Sequence, residues 1–304
     1  MHEIRTRVLA REMACKTPGF AESSVLMTRR RPSLIGVLAT CALLAVFATT
    51  ATASTAAKRK HHPGRGPSGV AMPVGNQTDW KQVLADNFKG TTLDSKWQKY
   101  NGVVGGNQGG WWARSHTVVK RGELILKTYS DPPNCTDAAI CPLFNNEVSG
   151  GVKSKLALTY GKVLVRVKTT PVADDTFLAL LYPTSDIAPP ESDFIVDGGP
   201  LNLTTIGALL KFGTPVTVLP DSVTANAAQW HTLGLIWSPG EVQYTIDGNV
   251  WATESNPNVS SVPMNIVLQS QTDCEAVPGR ICTVPWAATE PNVDVAWVVA
   301  YTHK

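Results

Sequence analysis

Residues 79–304 are predicted to fold as an all-β antiparallel sandwich, or jelly roll. Three observations carry that prediction. Short runs rich in Val, Ile, Leu, Thr and aromatic residues recur along this stretch. Gly, Pro, Asn and Asp separate the runs. No long helical period interrupts them; at most, short turns are expected near 79–84 and 225–229.

The runs follow in order. GELILKTYS (122–130) comes first among them, then GKVLVRVKTT (161–170). The latter alternates cleanly, with Val163, Val165 and Val167 on one face and Lys162, Arg166 and Lys168 on the other. TFLALLYP (176–183) and HTLGLIWSP (231–239) are next. EVQYTIDG (241–248) enters the segment YTIDGNVWAT, which reads as a hairpin turning at Asp247-Gly248. NIVLQSQ (265–271) and VDVAWVVAYT (293–302) close the series. No internal repeat is visible. Strands of this kind and number suit a two-sheet sandwich, and such sandwiches reach 200–250 residues as single domains.

Composition supplies the core: of 304 residues, 43% are apolar and 17% charged. The formal charge of +3 is unevenly spread. The first 70 residues hold 11 of the 27 Lys and Arg and 3 of the 24 acids, so the remainder carries 16 basic and 21 acidic side chains, a net of −5. A mildly acidic body gives no footprint for nucleic acid. Residues 1–53 read as an export signal: Arg29, Arg30 and Arg31 precede an apolar run at 34–48, and Ala51-Thr52-Ala53 is an A-x-A cleavage candidate. Met27 is an alternative start. A retained anchor is the competing reading, since 34–53 is about 20 residues, enough to span a bilayer. Residues 54–78, with KRKHHPGRGPSG, read as a basic linker in which His61 and His62 are solvated. The domain proper is 79–304. Secretion or attachment to the cell envelope is expected, with the membrane touched only through an uncleaved N-terminus.

Cys15 and Cys41 fall in the leader, which leaves Cys135, Cys141, Cys274 and Cys282. An even number in an exported chain suggests disulfides, with three possible connectivities. The local pairs Cys135–Cys141 and Cys274–Cys282 are preferred. Neither CxxC nor a nearby His pair supports zinc.

One run stands apart. PPESDFIVDGG (189–199) places Glu191 and Asp193 two residues apart, hence on the same face of a strand. Paired carboxylates in that position suit nucleophilic or acid/base chemistry; the plain alternative is a pair of solvated strand acids.

The order of motifs decides between these. LADNFKGTTLDSKWQKYNG (84–102) is followed by GGWWARSHTVVKRGELIL (109–126), VSGGVKSKLALTYGKVLVRVK (148–168), PPESDFIVDGG, WHTLGLIWSPGEVQYTIDG (230–248), MNIVLQSQ (264–271) and VDVAWVVAYT. This resembles the family-16 glycoside hydrolases, the laminarinase- and lichenase-like β-glucanases with a concanavalin-like jelly roll, over about 79–304. The resemblance implies an O-glycosyl hydrolase acting on β-glucan-type polysaccharide by a retaining mechanism. It implies a monomer without organic cofactor; a structural calcium, present in some relatives, is assigned no ligands here.

The family's bulged active-site strand is E-x-D-x-x-E: nucleophile, helper, acid/base. By that pattern Glu191 is the nucleophile and Asp193 the helper that tunes it. The third position is Val196, which can neither donate nor accept a proton. Asp197 is poorly placed to substitute: on a regular strand it lies six residues on, roughly 20 Å, and a bulge shifts its phase. Asp174, Asp175, Asp186 and Glu147 remain open as acids from other strands. The alternative function is therefore a catalytically impaired carbohydrate-binding protein on the same scaffold. Ser192, Lys211 and Tyr182 depart from the pattern too; Lys211 stands where many relatives carry a cleft-facing His.

Nine Trp suit sugar stacking. Trp111, Trp112, Tyr182, Gln269, Gln271 and Trp286 are the expected substrate contacts, with one of the adjacent tryptophans facing the cleft and the other the core. Trp97, Trp230, Trp237 and Trp297 are expected in the core, and His231 in packing at a strand start.

Overall fold

In the computed structural model, the described residues are 66–103, 110–139, 141–144, 146–170, 175–198, 204–272 and 292–304. The expected export signal, His61 and His62, Asp174, the expected Cys274–Cys282 pair and Trp286 lie outside them, as do the side chains of Leu143, Phe144, Asp197 and Thr272.

Sixteen strands follow along the described chain: β1 (Trp80–Asp86), β2 (Trp97–Lys99), β3 (Thr117–Lys120), β4 (Glu123–Ser130), β5 (Glu147–Ser149), β6 (Gly151–Leu158), β7 (Gly161–Thr169), β8 (Asp175–Pro183), β9 (Glu191–Gly198), β10 (Thr205–Phe212), β11 (Thr217–Thr224), β12 (His231–Ser238), β13 (Glu241–Ile246), β14 (Asn249–Ser255), β15 (Met264–Thr272) and β16 (Asn292–His303). Two short 3-10 turns, Arg114–His116 and Cys141–Phe144, complete the regular structure. One sheet runs β14-β13-β12-β7-β16-β4-β3, with β1 added on β16 and β5 on β4. The other runs β11-β10-β9-β8-β15-β6-β2. Every strand pair is antiparallel, so the predicted all-β sandwich is what the chain forms.

The core lies between the two sheets. Val163, Val165 and Val167 face it from β7, as their alternation predicts, and meet Phe177, Ala179 and Leu181 of β8 and Ile266 and Leu268 of β15. Each of these side chains larger than alanine contributes about 1.5–3 kcal/mol of burial. Trp97, Trp237 and Trp297 are buried, and each indole N–H finds an acceptor: the Asp86 carboxylate, the Ser260 carbonyl and the Val70 carbonyl respectively. Trp230 is half-buried under Lys168 on the outer layer.

The β13–β14 hairpin turns at Asp247 and Gly248, both with positive φ (47° and 88°), the backbone that a two-residue turn of this hand requires. His231, at the start of β12, hydrogen-bonds Asp247 at 2.8 Å, a packing role. One expectation fails: residues 80–86 form strand β1, paired along β16, rather than a turn. Their alternation is blurred because β1 is half-buried along most of its length.

Two glycines set the distance between the chain segments at one end of the second sheet. A Cβ on Gly150 would run into the His116 carbonyl, and one on Gly151 would lie 2.6 Å from Tyr100 Cδ2. The backbone entering β6 therefore lets the Arg114–His116 turn and the segment after β2 approach closely.

Candidate active site

A cleft of about 880 Å³ lies over the second sheet, lined from β2, β6, β8, β9, β10 and β15. Its chemistry centres on β9. Ser192 pairs with Leu181 on the core side, and Asp193 pairs with Leu180, a cleft residue. The next pairing joins Ile195 to Ala179, so one residue of β9, Phe194, is extra. The same irregularity appears against β10, where Asp193 pairs with Leu209 but Val196 with Gly207. Phe194 and Ile195 are each 1% exposed and both belong to the core. Neighbours on a regular strand cannot share a face; a bulge lets them.

The bulge fixes which residue follows Asp193 on the cleft face. Val196 pairs with cleft-lining Leu178, whereas the backbone of Asp197 pairs with Phe177, a core residue. The cleft-facing position that follows Asp193 is thus held by a valine, between Leu178 and Gly207.

Glu191 lines the cleft, and directly across β10 from it stands Lys211. The Lys211 ammonium donates to Glu191 Oε1 at 2.6 Å and lies 2.9 Å from Asp193 Oδ2. The latter contact is an ion pair without hydrogen-bond alignment, since neither Asp193 oxygen meets a donor in good direction. Asp193 is fully buried. Burial, then the Glu191 charge, push its pKa well above the usual carboxylate value, against the opposing pull of Lys211. Burial works against the Lys211 charge, but Asp193 and Glu191 outweigh it and hold that ammonium above the ordinary lysine pKa. Lys211 therefore stays cationic at neutral pH.

The other expected site residues divide. Tyr182, Gln269 and Gln271 line the cleft, and Gln269 Nε2 donates to Gln271 Oε1 at 2.8 Å. Burial raises the Tyr182 pKa, with the charges of Glu191 and Asp186 adding to it. Trp112 does not meet a ligand: it is fully buried, donates to the Ser270 carbonyl at 3.0 Å and takes Tyr100 edge-on. It supports the cleft floor through Tyr100 instead of forming it. Trp111 is half-buried against the Cys135–Cys141 loop, and its indole donates to the Asn134 carbonyl at 2.9 Å.

The predicted Cys135–Cys141 disulfide is formed. Of the alternative acids, Asp186 lines the cleft but is held by the Lys153 ammonium at 2.7 and 2.9 Å. Asp175 accepts hydrogen bonds from the Ser270 hydroxyl, and Glu147 is buried in β5. Among the described residues, no three His, Cys, Asp or Glu side chains are grouped to hold a metal ion.

Sequence reasoning missed Lys99, Arg114 and Lys153, which also line the cleft. All three lie within the quoted motifs, but nothing local marks them as convergent.

Solved structures share this architecture. SCLam, a non-specific endo-β-1,3(4)-glucanase from family GH16, superposes with a TM-score of 0.63 at 20% identity, covering 76% of this chain and 94% of its own. The laminarinase catalytic domain from Thermotoga maritima gives 0.60 at 15% identity, over 74% and 98%. Porphyranase B from Zobellia galactanivorans gives 0.59 at 17%, over 76% and 97%. The chain has the jelly-roll fold of these glycanases. No family model matches the chain, and no curated protein does.

Proposed function

We propose that this is an exported, glycoside hydrolase-like protein that holds β-glucan-type polysaccharide along the cleft, with Glu191 as the nucleophile of a retaining mechanism and the proton-donating half impaired. The observation that carries it is the cleft face of bulged β9: Glu191 and Asp193 stand together, and Val196 occupies the place of the second carboxyl. The glycanase fold supports a polysaccharide ligand. Glu191 attacks the anomeric carbon while the bond to the leaving oxygen breaks; without a positioned acid, that oxygen must leave unprotonated. General acids contribute roughly 10²–10⁴ in rate, so ordinary glucans turn over slowly and are mainly bound. Export is supported by the leader at 29–53 and by a disulfide that an oxidising compartment would maintain.

The test uses the full chain with laminarin and lichenan, then with aryl laminari-oligosaccharides whose leaving groups need no proton. Binding of the glucans, reaction of only the activated donors, and loss of that reaction in Glu191→Gln are expected. Absence of both binding and reaction would refute the reading. A second reading, a working hydrolase with Asp186 as the acid, is favoured by the presence of Asp186 in the same cleft. It fails if Asp186→Asn hydrolyses laminarin as well as the parent does.

A further inference from the structure

The cleft is lined by four cations, Lys99, Arg114, Lys153 and Lys211, against two carboxylates, Asp186 and Glu191. Two of the cations are committed. Lys211 lies between Glu191 and Asp193, and Lys153 grips Asp186. Lys99 and Arg114 have no carboxylate partner among the described residues.

These two are neighbours. Lys99, on edge strand β2, donates to the backbone carbonyls of Arg114 and Thr117, which pins its ammonium beside the Arg114–His116 turn. An ammonium has three donors, so one remains for a ligand. The Arg114 side chain is exposed and carries five. Partial burial, and then the Arg114 charge, lower the Lys99 pKa, so the pair is mutually repulsive as it stands. An anion set between them would relieve that repulsion and accept from both. Neutral sugar hydroxyls would accept as well, but would leave the repulsion between the two charges uncompensated.

The pair stands four strands away from Glu191, across β8, β15, β6 and β2, roughly 19 Å at ~4.8 Å per strand. That distance is several sugar rings along the cleft, within one polysaccharide chain but away from the reacting bond.

We propose that Lys99 and Arg114 form an oxyanion subsite at the β2 end of the cleft, and that the natural ligand is a polysaccharide bearing acidic substituents, carboxylate or sulfate. This rests on the reading that a polysaccharide occupies the cleft. Charged hydrogen bonds from a guanidinium and a half-buried ammonium predict a gain of roughly tenfold in affinity over the neutral chain.

The experiment measures binding of laminarin, carboxymethyl-laminarin and laminarin sulfate, matched in length, to the full chain at low and high salt. The basic segment at 58–65 would attract any polyanion, so the variants compared are Arg114→Gln in the cleft and Lys81→Gln on the exposed side of β1, in the other sheet. One or both charged chains should bind about tenfold tighter than laminarin, and the stronger arm names the substituent. The gain should vanish in Arg114→Gln and persist in Lys81→Gln. Equal affinities, or a gain that survives Arg114→Gln, would overturn the subsite and leave polysaccharide binding intact. Binding of the charged chains alone would support the subsite and remove neutral glucan as the ligand. If none of the three binds, the subsite and the cleft reading fall together.

Discussion

Replacing Val196 with Glu should restore hydrolysis of natural glucan. Glu191 and Val196 share the cleft face of β9, and the extra residue Phe194 makes their separation four regular steps instead of five. That is roughly 13 Å between Cα positions at ~3.3 Å per step. Two glutamate side chains leaning toward one another close most of that gap, towards the ~5 Å separation of a retaining pair. Val196 is half-exposed between Leu178 and Gly207, so the new carboxylate meets solvent and no packed core. A positioned acid contributes about 10²–10⁴; the Lys211 charge beside Glu191 remains, which favours the lower end. The assay is reducing-sugar release from laminarin, alongside an activated aryl donor as internal reference. Laminarin turnover should rise about 100-fold or more while the aryl rate changes little. Unchanged laminarin turnover in a folded, glucan-binding Val196→Glu variant would refute the argument, since the missing carboxyl would then not be the limiting defect.

Two further substitutions probe the ion cluster. In Lys211→Met, the ammonium 2.6 Å from Glu191 is lost. A reacting carbon about 3–3.5 Å from that oxygen lies roughly 5 Å from the ammonium, where a developing positive charge costs ~3 kcal/mol at an effective dielectric of 20. Activated donors should therefore react roughly 10–100-fold faster in single-turnover measurements; a slower reaction with binding retained would contradict this. In Asp193→Asn, a carboxyl whose folded pKa is raised by burial is removed. Its contribution to stability is present below the unfolded carboxylate pKa of about 3.9 and is lost as pH rises through the folded value. The melting temperature of the variant should gain on the parent as pH climbs from 4 to 8, by about 2–4 °C for each kcal/mol. Parallel melting curves across that range would show that Asp193 is not strained.

Much of the fold was legible because strand faces are local. The alternation of Val163, Val165 and Val167 and the Asp247-Gly248 turn need no distant information. The same holds for Glu191 and Asp193, whose spacing alone puts them on one face. The bulge had a local trace as well, in the consecutive apolar pair Phe194-Ile195 between acidic residues. Strand β11, TVLPDSVT, was hidden because Pro220 and Asp221 are typical of an edge strand and resemble a loop in sequence. What the sequence could not show was register. Lys211 meets Glu191 only because β10 pairs with β9 in one alignment, twenty residues on. Lys99 and Arg114 converge through a side chain reaching over to the backbone of a turn. The expectation that one of Trp111 and Trp112 faces the cleft fails for a related reason: Trp112 packs under Tyr100 and Trp111 lies against the Cys135–Cys141 loop, and neither is among the cleft-lining residues.

The two glycines at the entrance of β6 carry a consequence for how this protein can change. Neither touches the cleft contents, yet they set how near Tyr100 and the His116 backbone come to the sheet. A single methyl group at Gly151 would have to displace the Tyr100 ring, and with it the strand end that carries Lys99. If a polysaccharide fills the cleft as proposed, selectivity for one glycan over another is adjustable from beneath the floor, by altering a spacer, while every residue that would meet a ligand keeps its identity.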